Sequence, residues 1–115
     1  MDSSLIGTYS ASIQVSASDT AQALPSAATQ FSVINNSTGS AVVEYHYYPA
    51  VLITVEGYDI RIRYSADPTQ GDSPEGHLIV KNTSLRVVGQ DNINNIRFIA
   101  ATSGQVGVLQ VSPET

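Results

Sequence analysis

GHLIVKNTSLRVVGQDNINNIRFIAATSGQVGVLQVS, residues 76–112, decides the fold. Four short runs rich in apolar and β-branched residues stand in it: His77–Val80, Leu85–Val88, Ile96–Ala100 and Val106–Val111. Clusters of Asn, Asp, Ser and Gly separate them. Runs of that length between turn formers read as strands of a small antiparallel β domain, with no room for a helix.

The same rhythm continues toward the N-terminus. Tyr58 to Tyr64 shows the cleanest alternation, with Tyr58, Ile60, Ile62 and Tyr64 set against Asp59, Arg61 and Arg63. Its tyrosine–isoleucine face is expected to point inward. Ala50 to Glu56 is a further strand, joined to it around Gly57. In Ser40 to Tyr48, the residues Ala41, Val43, Tyr45 and Tyr47 alternate with Val42, Glu44 and His46, and Pro49 ends the run. Thr29 to Ile34 precedes it with Phe31 and Val33 on one side, and the turn formers Asn35 to Gly39 make the connection a hairpin loop. Ser10 to Ala17 places Ala11, Ile13 and Val15 on one face of a half-buried strand. Ala21 to Ala28 contains Leu24 and Pro25; proline donates no ladder hydrogen bond, so this is an edge segment or a loop. Ser65 to Gly76 is acidic and rich in Pro and Gly, the composition of a mobile surface loop.

Turn signals every ~8–12 residues predict an all-β fold: a single small antiparallel β-sandwich, jelly-roll-like, or a barrel, of about eight or nine strands. The expected organisation is a flexible lead-in over 1–7, the sandwich over 8–112 with the acidic loop at 65–76, and a tail over 113–115.

The 115 residues include ten acids and five Lys or Arg, a net charge of −5. Charged residues make up 13% of the chain, about half the usual share. Five dispersed bases form no patch able to displace counterions from a phosphate backbone, so nucleic acid is not an expected partner, nor is an anionic membrane. The absence of cysteine rules out disulfides and thiolate chemistry. Met1-Asp2-Ser3-Ser4 lacks the basic and apolar regions of a signal peptide, and the longest apolar run is far short of a membrane span, so synthesis in the cytosol without standard export is expected.

Candidate sites are few. Glu44 and His46 stand two apart on one strand and share a face, but two groups do not make a metal site and His77 lies in another segment. Asp67, Asp72 and Glu75 offer oxygen ligands for Ca²⁺, though their spacing departs from the calcium-loop pattern and suits a solvated acidic loop. Tyr45, Tyr47, Tyr48, Tyr58 and Tyr64 combine flat apolar faces with polar tips, suited to a core, a protein interface or a sugar platform. No Ser/His/Asp set follows a known order and no glycine motif cradles phosphate, so neither a catalytic residue nor a cofactor is expected. A cupin-like metalloenzyme fails on its need for a histidine-rich set.

Three stretches carry a resemblance: AQALPSAA at Ala21–Ala28, QFSVINNSTG at Gln30–Gly39, and NINNIRFIAATSGQVGVLQVS at Asn92–Ser112. Together they resemble small virion proteins of tailed bacteriophages, namely capsid decoration (cement) proteins and head- or tail-fibre modules, many of them sandwiches or jelly rolls. The middle, Tyr45 to Gly76, departs from that pattern as an insertion rich in tyrosine and acids. The resemblance implies a structural protein on the outer capsid surface, bound to the major capsid protein and to itself as a dimer or trimer. Tyr45, Tyr47, Tyr48, Leu24 and Pro25 are the interface candidates. The alternative is a tail- or fibre-associated carbohydrate- or receptor-binding module.

Overall fold

Val51, Ile53 and Val55 point one way along Ala50–Glu56 and are almost fully buried. That period-two burial turns one face of the segment to the core. The computed structural model describes residues 12–35, 39 and 41–114. In chain order its elements are β1 (Ile13–Ala17), β2 (Gln22–Ala23), α1 (Ser26–Thr29), β3 (Gln30–Asn35), β4 (Val42–Tyr47), β5 (Ala50–Glu56), β6 (Ile60–Tyr64), β7 (His77–Ile79), β8 (Ser84–Val88), α2 (Gln90–Asn95), β9 (Ile96–Ala100) and β10 (Gly107–Glu114).

Two four-stranded antiparallel sheets form the body, ordered β1-β10-β5-β8 and β2-β9-β6-β7. β3 and β4 pair only with each other, as a separate two-stranded sheet. The fold is an all-β sandwich with two distinct sheets rather than a closed barrel. The core between them takes Val51, Ile53, Val55, Val87, Leu109 and Val111 from one sheet and Ile60, Ile62, Ile96 and Phe98 from the other. At Gly107 the layers come so close that a Cβ there would lie 2.8 Å from Ile60 Cγ2 and 3.0 Å from the Tyr58 carbonyl oxygen. The outer strands of the second sheet, β2 and β7, are only two and three residues long. Short edges offer little template for pairing with other chains.

Several expectations are corrected. The described residues hold ten strands rather than eight or nine, and two short helices where none was expected. α2 occupies the polar cluster before β9. Gly89, at φ 95°, turns the chain into it, the Ile93 N–H donates to the Gly89 carbonyl at 3.0 Å, and the Ile93 side chain enters the core. One apolar residue among polar ones leaves no helical period to read. In α1, Ala28 is likewise buried against the core.

On β6 the isoleucines Ile60 and Ile62 are buried as expected, but Tyr64 at its end and Tyr58 in the bend before it are exposed. Tyrosines at the rim of a core keep their hydroxyls in water, which isoleucine has no reason to do.

The expected tail at 113–115 is structural over its described part: Pro113 and Glu114 continue β10 opposite Val51 and Ala50 and are buried. Pro113 lies past the last described β1–β10 pair, Ile13 with Val111, on a stretch where, among the described residues, only β5 flanks the strand. Proline is confined to such positions. Glu114 takes a bidentate pair from Arg86 on β8, Nε to Oε2 and Nη2 to Oε1, each 2.8 Å. The pair reaches across β5 and fastens β10 to β8. Arg86 holds the Glu114 carboxyl below the ordinary carboxylate range by hydrogen bonding, against a burial that pushes the other way.

The loop 65–76 is tied down along its length. Pro68 is buried, the Thr69 N–H donates to the Glu75 carbonyl at 3.0 Å, and Arg61 Nη1 donates to the Gly76 carbonyl at 3.1 Å. Gln70 Nε2 donates both to Asp19 Oδ1 at 3.1 Å and to the Ala100 carbonyl at 2.8 Å. The Asp19 carboxylate also accepts from the Gly104 N–H at 3.0 Å. These two bonds, Gln70 first, hold its carboxyl below the ordinary range. The lead-in 1–7 and most of the turn linking β3 to β4 lie outside the described residues.

Candidate interaction surface

The β3–β4 hairpin stands apart from both sheets of the sandwich. The chain leaves the body at Thr29 and returns at Tyr48, where the Tyr48 N–H donates to the Thr29 carbonyl at 3.1 Å and closes the base. No residue of β3 or β4 belongs to the hydrophobic core cluster.

Direct pairing sorts the side chains of the hairpin onto two faces. Gln30 lies opposite Tyr47, Ser32 opposite Tyr45, and Ile34 opposite Val43, so these six share one face. It carries no charged residue, and Ile34 (65% exposed), Tyr45 (64%), Val43 (55%) and Tyr47 (45%) all stand in solvent. The opposite face carries Phe31 with His46 and Val33 with Glu44. There Glu44 Oε2 lies 3.4 Å from His46 Nε2, and the His46 ring stacks on Phe31 with centroids 5.6 Å apart. Phe31 in turn rests on Tyr48, centroids 5.0 Å apart, which seats the hairpin on the body. Exposed apolar side chains in such density on a two-stranded ribbon single this face out as the candidate contact surface, because the ribbon buries nothing of its own with them.

A shallow hollow of about 340 Å³ opens at the base of the uncharged face, lined by Ser26, Ala27, Gln30, Phe31, Ser32 and Tyr45. A second, of about 250 Å³, is lined by Tyr58, Asp59, Lys81, Thr102 and Gln105.

The interface candidates divide. Tyr45 and Tyr47 are exposed on the uncharged face, whereas Tyr48 and Leu24 are each only 7% exposed and serve the protomer's own packing. Pro25, half-buried, precedes α1 with the φ of −66° that its ring imposes. Nor is the segment around them a free strand: Gln22 and Ala23 pair with Phe98 and Arg97 of β9. The calcium candidates are not brought together. Glu75 faces Arg63, Oε2 to Nη1 at 2.7 Å, and no three acidic or histidine side chains converge among the described residues. The Glu44–His46 pair is solvated, as its sequence position suggests.

Alternation along β4 makes the uncharged face legible in the sequence, but nothing local says that β3 and β4 leave the sandwich. The Arg86–Glu114 clasp is also unreadable, since its partners lie far apart in the chain. Compared with family models, curated proteins and solved structures, the chain matches none.

Proposed function

We propose that this chain is a structural subunit acting by docking, of the capsid-decoration kind its sequence resembles, with a phage major capsid protein as partner. The observation that carries the reading is the arm: an apolar, uncharged, tyrosine-bearing face held clear of the domain's own core. Aromatic residues are enriched and charge is depleted at the centres of protein interfaces. The strand order supports the reading as well. Successive strands β1-β2, β5-β6 and β8-β9 each cross from one sheet to the other, which suits the winding of an eight-stranded jelly roll. On that reading β3–β4 is an insertion between its second and third strands. Virion shells use this fold, and so do lectins and cupins, so the fold is analogy and the arm is the argument.

A decoration protein stabilises a shell because its contacts exist only in the assembled lattice, and binding the assembled state shifts the equilibrium toward it. Repetition over many equivalent sites amplifies weak single contacts. The test is cosedimentation with mature tailed-phage capsids stripped of their decoration. Saturable binding at a fixed ratio per capsid subunit, lost in Tyr45→Asp, is the expected result; binding indifferent to that substitution sinks the role of the arm.

The second reading, a carbohydrate-binding module, is favoured by the hollow at Tyr58, where an exposed ring adjoins Asp59, Lys81, Thr102 and Gln105. A ring for stacking beside polar hydrogen-bonding groups suits a sugar. A glycan array expects binders whose signal disappears in Tyr58→Ala, and a blank array removes this reading.

A further inference from the structure

The outer face of the second sheet gathers three of the chain's five cations, and we infer that it holds a short acidic segment of a partner protein through Arg63 and Arg97. The surface shares no residue with the arm, and the inference stands whether or not the arm docks.

Placement follows from the pleat. Ile60, Ile62, Ile96 and Phe98 turn inward to the core, so alternation along β6 and β9 turns Arg61, Arg63 and Arg97 outward together. Arg63 pairs directly with Arg97, and Arg61 stands one pleat further along β6. Like charges set directly opposite destabilise a sheet. The chain has ten acids with which to relieve that cost, yet among the described residues a single carboxylate pairs with any of the three: Glu75, its Oε2 2.7 Å from Arg63 Nη1.

The row is short of acceptors in two further places. Arg61 donates through Nη1 to the Gly76 carbonyl at 3.1 Å, but its buried Nε has no hydrogen-bond partner among the described residues, a condition few buried donors share. Arg97 donates through Nη1 to the Asn94 carbonyl at 2.8 Å and the Ile96 carbonyl at 2.9 Å. Those bonds fix its head group, while its Nε and Nη2 edge makes no hydrogen bond among the described residues. Arg86 grips Glu114 by that same edge, so it is the edge that takes a carboxylate side-on. Beyond Arg97 in the sheet stands Ala23, exposed and too small to cover it.

Glu75 selects the occupant. It belongs to GDSPEG, residues 71–76, and is 59% exposed where it meets Arg63, so the face already holds the acidic side chain of a peptide in cis. An exposed pair of this kind contributes little and exchanges readily for a carboxylate in trans. A long polyanion such as nucleic acid is disfavoured, because a chain of net charge −5 repels it. Small ligands take concave sites, and neither hollow described above is lined by these arginines. A short acidic peptide sets its carboxylates on the row and keeps the rest of its length clear of the acidic body.

Titration of the ¹⁵N-labelled full chain with a capped hexaglutamate peptide tests this, read from the arginine Nε–H resonances and the backbone amides. The expected result is a saturable shift at Arg63, Arg97 and Ala23 that weakens as salt rises. Glu75→Gln removes the competitor in cis and tightens binding about two- to fivefold, the worth of an exposed ion pair. Arg97→Gln weakens it on the order of tenfold. Glu75 stands on an exposed loop, so its variant reports even if Arg97→Gln fails to fold. No saturable shift, equal shifts from hexaglutamine, binding unchanged in folded Arg97→Gln, or binding not tightened by Glu75→Gln overturns the inference. Inorganic phosphate bound more tightly than hexaglutamate also overturns it and assigns the face to a small free anion.

Discussion

Gly107 has no room for a single methyl group. Ile60 Cγ2 and the Tyr58 carbonyl oxygen both crowd the place where a Cβ would stand, and the second of these is backbone that cannot swing aside. Gly107→Ala should therefore cost about 1–3 kcal/mol through overpacking, read as a fall in melting temperature of about 4–8 °C per kcal/mol; an unchanged melt would mean that the sheets sit further apart at this point. Glu114 makes a pH prediction. Its folded carboxyl is held below the ordinary glutamate value of 4.5 by Arg86, so the unfolded chain takes up a proton where the native state does not. The stability it contributes is fully present above that ordinary value and is lost as pH falls through the lowered folded value. Glu114→Gln should remove about 2 kcal/mol at neutral pH and flatten the decline of the melting temperature on acidification. A variant that retains the wild-type acid slope would assign that slope to other carboxylates. Neither effect was open to sequence reading. Gly107 reads only as a small residue inside the run Val106–Val111, and Glu114 as part of a polar tail, because the sequence does not say what lies across the sheet.

At the scale of the element, the hairpin behaves as an appendage. The Thr29 carbonyl and the Tyr48 N–H already close its base, and none of its residues enters the core. Replacing residues 30–47 with a two-residue Asn-Gly turn should leave a folded sandwich, destabilised by about 1 kcal/mol for the lost ring contact between Phe31 and Tyr48. Cooperative melting near the wild-type temperature is expected, and loss of cooperative unfolding would show that the arm is needed for the body to fold. Strand identity was largely legible: Ile96–Ala100 and Ala50–Glu56 fall where alternation and turn residues place them. The helix at Gln90–Asn95 was not, because a one-turn helix is fixed by Gly89 before it and by the burial of Ile93 rather than by any period of its own. The same limit hid the candidate surface. Alternation tells which side chains share a face, yet a strand packed on a core and a strand held in solvent can carry the same alternation.

For the whole molecule, the described fold extends 59 × 32 × 20 Å with a radius of gyration of 15.9 Å, against about 13 Å for a compact domain of this length. X-ray scattering from the protein at high dilution should give a radius near or above 15.9 Å; a value near that of a compact sphere would mean that the arm folds back onto the body. The sandwich class followed from counting short runs, but strand order did not, since order depends on contacts between distant segments. That order has a consequence for biosynthesis. β10 follows every other strand in the chain, yet it lies between β1 and β5. Until residues 107–114 have cleared the ribosome, β1 has no neighbour among the described strands of its sheet and β5 exposes a bare edge. The domain cannot mature piece by piece during translation. It closes in one late event that joins the start of the fold to its middle, the long-range pairing that folds slowly, and a stalled chain lacking that segment should be a substrate for chaperones or proteases rather than a shortened functional protein.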